Sequence, residues 1–426
     1  MLAYFCIQNF KSILNLKLDF SFAEGKAPNH YKESELLPFV GDKVRQVPVL
    51  ALYGANGSGK SNILRAFNTF MRAIVFDATE YYHPNKLNPL YDSTTFEIGV
   101  YKENTLYIYT ITYNKDGISH EGLYKKNKNH LIFEITNKEC VFDNISTKEY
   151  TSDRLDEIYR VECINAEKQQ CRTFLSRVAR NYIGLNQELV DAWQQITGYI
   201  EVYPRNNAPL PYVLEQLAGD TSAEKISLAF DKITHILKKL DININKLTWD
   251  RKYQPIDDVT KMSGIRDENI TFYRPSQNML VKDNIRSYHT DVNGNEVIFN
   301  FNEESEGTQT LASVLGLCLS ALEKGRVLCI DELDKSLHSL LLIQVVRLFK
   351  DKRYNRKNAQ LLFTAHNTDI LDEGSMRISE VGFINKTEKT GSTIKRISDF
   401  DGKRNVTNFR KQYLDGLFSG VPFPYI

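Results

Sequence analysis

At 426 residues with a net charge of +1, the chain is long enough to bury a sizeable core and carries no global field that would mark a nucleic-acid or membrane binder. Its six cysteines, Cys6, Cys140, Cys163, Cys171, Cys318 and Cys329, form no Cys-x-x-Cys pair, which argues against a zinc site or a disulfide framework. No apolar run approaches the roughly 18 residues that a membrane span needs, the N-terminus lacks a basic-apolar-small leader pattern, and a reducing, cytoplasmic setting without membrane contact is expected.

From Met1 to about Phe22, apolar and polar positions alternate through Ile7, Phe10, Ile13, Leu16, Leu18 and Phe20, predicting two short strands around Asn9-Phe10-Lys11-Ser12. Residues 23–46 are polar and charged and read as a loop. Val47-Pro48-Val49-Leu50-Ala51-Leu52-Tyr53 predicts a buried strand that feeds Gly54-Ala55-Asn56-Gly57-Ser58-Gly59-Lys60-Ser61, with a helix opening at Ser61-Asn62-Ile63-Leu64. Strand, glycine-rich turn and helix is the context a phosphate-binding loop requires. Glycine at 54, 57 and 59 permits backbone angles closed to other residues, so that amides of Asn56, Gly57, Ser58 and Gly59 can converge on a phosphate. Lys60 then reaches the β and γ oxygens and Ser61 ligates magnesium. The plain alternative is a Gly/Ser-rich surface turn.

Further along, Phe96–Tyr101 and Leu106–Tyr113, a turn at Asn114-Lys115-Asp116-Gly117, and short strands to Phe133 alternate aromatic and β-branched residues, as an antiparallel sheet does. From Lys168 to about Thr290 the period becomes helical, most clearly in Ala223–Leu240, and predicts a helical insertion without sustained heptads. Strands are expected again at Val327–Ile330, Leu361–Thr364 and Val381–Ile384. This divides the chain into an N-terminal lobe (1–167), a helical lid or arm (168–294) and a C-terminal lobe (295–426).

The second chemical signal is Val327-Leu328-Cys329-Ile330-Asp331-Glu332. Asp331, at the end of a buried strand, can hold a magnesium water shell opposite Ser61, and Glu332 can accept a proton from an attacking water. Upstream, Ser305-Glu306-Gly307-Thr308-Gln309 opens the apolar helix Leu311–Leu322 and is either an anion site built on helix amides or a simple cap. Downstream lie Leu333-Asp334-Lys335-Ser336-Leu337-His338 and then Phe363-Thr364-Ala365-His366-Asn367. His366 can hydrogen-bond a γ-phosphate or be structural. The run Lys350–Lys357 is basic and is either a solvated loop or a duplex contact.

Taken in this order, the motifs resemble those of ABC-type ATPase heads of the SMC/RecF-like branch, particularly the bacterial AAA-type ATP-binding proteins of phage-defence loci. They are similar to those of the Septu ATPase PtuA and the ATPase half of OLD-family nucleases, over residues 1 to about 75 and 295–426, and loosely between. The resemblance implies an α/β ABC-ATPase head with an antiparallel β subdomain, a mixed or parallel nucleotide-binding sheet and an inserted helical subdomain. It makes Gly54–Ser61 the Walker A loop and Asp331-Glu332 the Walker B pair with its catalytic glutamate. Ser305 and Gly307 belong to a signature that binds the γ-phosphate of ATP held by the opposite subunit, Asp334 to a D-loop, and His366 is the switch histidine. Lys11 and Ser12 become phosphate neighbours. Glu306 departs from the transporter signature, and a glutamine loop is represented at most by Gln169 or Gln170, which also read as an exposed pair.

ATP and Mg2+ are the implied cofactors. A homodimer or higher even-numbered homo-oligomer is the implied assembly, because a signature far from its own Walker A completes a site in the partner. The resemblance also implies an effector, nuclease or toxin, encoded by a neighbouring gene, since no nuclease signature is visible. A DNA-repair or DNA-clamping ATPase that touches nucleic acid through residues 350–357 is the alternative, and a nucleotide-binding module with little turnover is a third. Tyr413–Pro422 resembles the tail of these defence ATPases, or is simply a tail packed on the last sheet.

Overall fold

The computed structural model describes residues 1–22, 39–40, 44–87, 91–125, 130–137, 139–142, 157–161, 172–181, 187–203, 210, 213, 223–255, 270–274, 279–371, 376–400, 408–418 and 420. The chain opens with a hairpin, β1 (Leu2–Phe10) and β2 (Ile13–Asp19), whose residues Phe5, Ile7, Phe10, Ile13, Leu16 and Leu18 are buried. Short strands β3 (Phe39–Val40) and β4 (Val44–Arg45) pair within the segment expected to be loop. Next comes β5 (Val49–Tyr53), buried at every position, then the glycine-rich turn and α1 (Lys60–Val75).

The expected antiparallel run follows as β6 (Thr94–Lys102), β7 (Thr105–Tyr113), β8 (Ile118–Lys125), β9 (His130–Thr136) and β10 (Glu139–Phe142). Helices α2 (Phe174–Asn181) and α3 (Gln187–Thr197) then lead to β11 (Ile200–Tyr203). The next elements are α4 (Ala223–Lys239), β12 (Lys246–Pro255), β13 (Ile270–Arg274), β14 (Met279–Thr290), β15 (Glu296–Asn300) and α5 (Glu306–Lys324). The chain returns through β16 (Val327–Ile330), α6 (Ser339–Lys350), β17 (Gln360–Thr364), β18 (Val381–Thr387), β19 (Gly391–Arg396) and α7 (Phe409–Leu414).

Two compact units result, one of residues 1–204, 325–332 and 346–426, the other of 205–324 and 333–345. This division departs from the expected boundaries at 167 and 294, because α4 and α5 pack on one another and so join residues on both sides of 294 into one unit.

In the first unit, thirteen strands form one mixed sheet in the order β10-β9-β8-β7-β6-β1-β2-β19-β18-β5-β17-β16-β11. From β18 to β11 the neighbours are parallel, and the other pairs are antiparallel. The parallel strands β5, β16 and β17 are continuous buried runs, as strands covered on both faces must be. Helix α1 buries Ile63, Leu64, Phe67, Phe70 and Ile74 at helical spacing. Phe67 stacks on Phe5 of β1 at 4.1 Å, and Phe70 meets Phe96 of β6 edge-on at 5.8 Å. At about 1.5–3 kcal/mol per buried aromatic side chain, this cluster anchors α1 and with it the turn at its N-terminus.

The second unit contains the expected helical segment as α4 and adds strands to it. Besides α4 it holds a four-stranded antiparallel sheet in which β14 pairs with β12, β13 and β15. The helical period of Ala223–Leu240 does not extend into Lys246–Pro255, where Leu247, Trp249 and Arg251 share one face at period two. β12 carries Lys246, Asp250, Arg251 and Lys252 and lacks the apolar run that marks the buried strands of the first unit.

Candidate nucleotide site

Parallel pairing brings together segments some 270 residues apart in sequence. Leu52 of β5 is in register with Thr364 of β17, and Phe363 of β17 with Ile330 of β16. The carboxyl ends of the three strands are therefore level, and Gly54, Asp331 and Ala365 leave the sheet at one edge. In open α/β sheets this is the edge at which ligands bind.

The turn after β5 is shaped by its glycines. At Gly54 an added Cβ would overlap the carbonyl oxygen of Ile384, and at Gly59 (φ 106°) it would overlap Ser392 Oγ. Gly59 stands at the N-cap of α1, with no side chain to cap the first-turn amides. Ser392 Oγ lies 2.7 Å from Ser58 O and 2.9 Å from Ser12 Oγ, and Asn62 Nδ2 donates to Ser12 Oγ at 2.9 Å. The turn is thus pinned from behind by β19 and the β1–β2 hairpin. Lys60 is buried at 7% exposure, and its Nζ donates to Gly54 O at 2.6 Å and Ala55 O at 3.2 Å.

On the facing strands, Asp331 is buried and Glu332 is half-buried. Glu332 takes a left-handed backbone, φ 53°, unusual for a residue with a Cβ. Its N–H donates to Thr364 Oγ1 at 2.7 Å, and that hydroxyl donates to Asp331 Oδ1 at 2.6 Å. His366 is exposed just beyond β17. The neighbouring Asn367 is held by Tyr53, whose hydroxyl donates to Asn367 O at 3.0 Å.

A cavity of about 280 Å³ lies between these groups, lined by Asn56, Gly57, Ser58, Gly59, Lys60 and Ser61 on one side and Asp331, Glu332, Thr364 and His366 on the other. Asn62 and Arg65, one helical turn apart on α1, also line it. A hydroxyl and a carboxylate are hard oxygen donors of the kind Mg2+ takes, usually together with substrate phosphates. Among the described residues no cluster of three or more His, Cys, Asp or Glu side chains could hold a metal by itself.

Lys11 and Ser12, expected as phosphate neighbours, are not among the residues lining this cavity. Ser12 is engaged behind the turn by Ser392 and Asn62. Lys11, in the left-handed region at φ 48°, donates its N–H to His83 O, with its ammonium 5.8 Å from the Phe10 ring centroid. Partial burial and then the Arg65 charge lower the Lys11 ammonium below its usual range, and burial followed by Lys11 lowers His83.

Ser305, Gly307 and Asp334 fall in the second unit. There Ser305 Oγ accepts the Thr308 N–H at 3.1 Å, a helix cap, and Ser336 Oγ donates to Glu306 Oε1 at 2.9 Å. Asp334 closes a turn in which its carbonyl accepts the Leu337 N–H. The basic run Lys350–Lys357 is not a continuous exposed stripe. Lys350 is buried against Glu380 at 2.7 Å, and Arg353 is turned onto Asp351 at 2.6 Å. Gln169 and Gln170 lie outside the described residues. The tail packs as expected on the sheet, with Tyr413 and Phe418 stacked on Phe383 of β18 at 4.8 and 5.1 Å.

Thr364, Asn62, Arg65 and Ser392 escaped the sequence reading. The first carried one faint signal, a hydroxyl at the end of the apolar run Leu361-Leu362-Phe363. Ser392 had none, since its contact with residue 58 spans more than 300 positions.

A strand, glycine turn and helix set among parallel strands of a mixed sheet is the architecture of a P-loop α/β domain. Residues 49–372 match the family model described as "AAA domain, putative AbiEii toxin, Type IV TA system", and since that span is well over half of the chain, the protein belongs to this AAA-domain family. Among solved structures the chain is similar to the SMC head domain from Thermotoga maritima, at 13% identity and a TM-score of 0.37, covering 93% of this chain and 98% of that one. No curated protein matches. No described helix is long and apolar enough to cross a membrane.

Proposed function

We propose that the protein binds ATP with Mg2+, closes as a dimer around two nucleotides, and hydrolyses ATP to time the opening of that dimer. The observation that carries this reading is the cavity that faces the glycine turn of β5 with the Asp331, Glu332 and Thr364 cluster of β16 and β17. Bound Mg2+ would neutralise charge on the β and γ oxygens, held by Ser61 and, through water, by Asp331. Amides of Gly57, Ser58 and Gly59 orient the phosphate chain at the start of α1, where the helix dipole favours an anion. Lys60 exchanges its carbonyl partners Gly54 and Ala55 for phosphate oxygens. Glu332 takes the proton from the attacking water, and His366 donates a hydrogen bond to the departing phosphoryl group. Lys11 and Ser12 act from behind the turn, while Ser305, Gly307 and Asp334 of one copy complete the site of the other.

Replacing the proton acceptor tests the chemistry. Glu332→Gln should lower turnover roughly 10²–10⁴-fold while nucleotide binding persists; unchanged hydrolysis by that variant, measured as phosphate release, would refute the role.

At the level of biology the reading is an ATP-gated sensor and scaffold in bacterial antiviral defence, like the PtuA and OLD ATPases, restraining an effector from a neighbouring gene. The family description names a putative AbiEii toxin and a Type IV TA system, and the effector reading draws on those words alone. The rival DNA-clamping function draws on Lys350–Lys357, of which Lys350 is buried against Glu380 while Arg353 pairs with Asp351 at the surface. Native mass spectrometry of Glu332→Gln, co-expressed with its genomic neighbours, discriminates the two. An even-numbered ATP-dependent assembly carrying a neighbour's product supports the scaffold, and a bare ATP-locked dimer favours DNA clamping.

A further inference from the structure

We propose that Thr364 is a positioning residue whose single hydroxyl sets both the carboxylate of Asp331 and the backbone of Glu332, an inference that rests on the reading of this site as an ATP-hydrolysing one. Thr364 ends β17 and is wholly buried. Its Oγ1 donates to Asp331 Oδ1 at 2.6 Å and accepts the Glu332 N–H at 2.7 Å. Both bonds cross one parallel strand pair, whose register at Ile330 and Phe363 places residue 364 beside residue 331.

Three physical facts give this bridge its force. First, Glu332 leaves β16 with φ 53°, a conformation that crowds Cβ against the backbone, so the bond from its N–H helps to maintain a turn the chain would not choose locally. Second, the hydroxyl accepts from one partner and donates to the other, so its two bonds hold it at the strand end. Third, packing alone does not require an oxygen here. Leu361, Leu362 and Phe363 precede it, all buried, and valine has nearly the shape of threonine. The hydroxyl is accounted for by its two bonds.

Through them one oxygen atom determines where the metal-facing carboxylate points and the direction in which the proton acceptor departs from the strand. Metal placement and water activation are thereby geometrically coupled, through a link between residues more than thirty positions apart. Thr364 touches neither phosphate nor water in this scheme and acts through Asp331 and Glu332.

The test compares Thr364→Val, which removes the hydroxyl, with Thr364→Ser, which keeps it. At saturating ATP and Mg2+, Thr364→Val should lose about 10- to 100-fold in kcat, the scale of a misplaced catalytic group, with KM for ATP near that of the wild type. Thr364→Ser should run near the wild-type rate. In parallel, Mn2+ is titrated by electron paramagnetic resonance in the presence of ADP. Weaker Mn2+ binding in Thr364→Val only, with metal-free ADP affinity unchanged, supports the bridge. Wild-type kcat and Mn2+ affinity in Thr364→Val overturn it. So does a serine variant as defective as the valine one, which would assign the effect to the γ-methyl group, or a valine variant that has also lost metal-free ADP binding, which would assign it to a damaged fold. If the wild-type protein releases no phosphate, the hydrolytic reading fails on its own, and the Mn2+ titration decides the Thr364 bridge separately.

Discussion

Gly59 holds a backbone angle of φ 106° at the mouth of α1 and has Ser392 Oγ and Ser12 Oγ pressed against the place where a side chain would begin. Gly59→Ala should therefore destabilise the protein by ~1–3 kcal/mol and weaken nucleotide binding, because the clash pushes the turn away from the seryl groups that pin it. Urea unfolding midpoints and ADP titration check both halves; an alanine variant as stable and as tight-binding as wild type would mean the turn is not held from behind. At the same scale lies the buried trio of Lys350, Arg377 and Glu380, in which Glu380 accepts from both cations and from the Arg377 N–H. Its carbonyl also receives the Ala51 N–H of β5, so the trio abuts the strand that feeds the glycine turn. Removing the carboxylate from between two buried cations costs about 3–5 kcal/mol. A clear fall in the melting temperature of Glu380→Ala is expected, and its absence would show that the cations are satisfied elsewhere.

Between elements, Glu121 of β8 joins the β subdomain to α2. It is buried and accepts the N–H groups of Phe174 and Leu175 at 2.7 and 2.9 Å, with Tyr109 Oη donating at 2.9 Å. Burial raises its carboxyl above the usual 4.5, against the lowering effect of these bonds. The folded chain therefore retains a proton that the unfolded chain has already released, and this contribution to stability declines as pH rises from the ordinary carboxylate value through the raised one. Glu121→Gln should abolish that decline, seen as a flatter plot of melting temperature against pH. An identical slope in both proteins would place the titration on another group. The strands themselves show why element type was readable in some places and not in others. Val49–Tyr53, Val327–Ile330 and Leu361–Phe363 are apolar on both faces and announce themselves. Lys246–Pro255 and Met279–Thr290 interleave charged residues with sparse apolar ones, so only their mutual ten-residue register makes them strands.

For the whole molecule, nucleotide-driven dimerisation is the expected behaviour. Sedimentation velocity of Glu332→Gln should show a shift from monomer to dimer on adding ATP and Mg2+, and none with Lys60→Ala, which lacks the ammonium proposed to meet the phosphates. A monomer under both conditions would separate nucleotide binding from assembly. The sequence by itself determined the local chemistry: a glycine-rich turn between an apolar strand and a helix, and Asp331-Glu332 behind four apolar residues. These are short-range patterns, readable because conformational permission at glycine and burial of apolar runs act within a few residues. Only the tertiary structure decided that β5, β17 and β16 end at one level, that Thr364 bridges Asp331 and Glu332, and that Ser12 stands behind the glycine turn and Lys350 is buried. Such contacts are set by strand register across hundreds of residues, where the free energy lies in pairing and packing and leaves no periodic trace in the sequence.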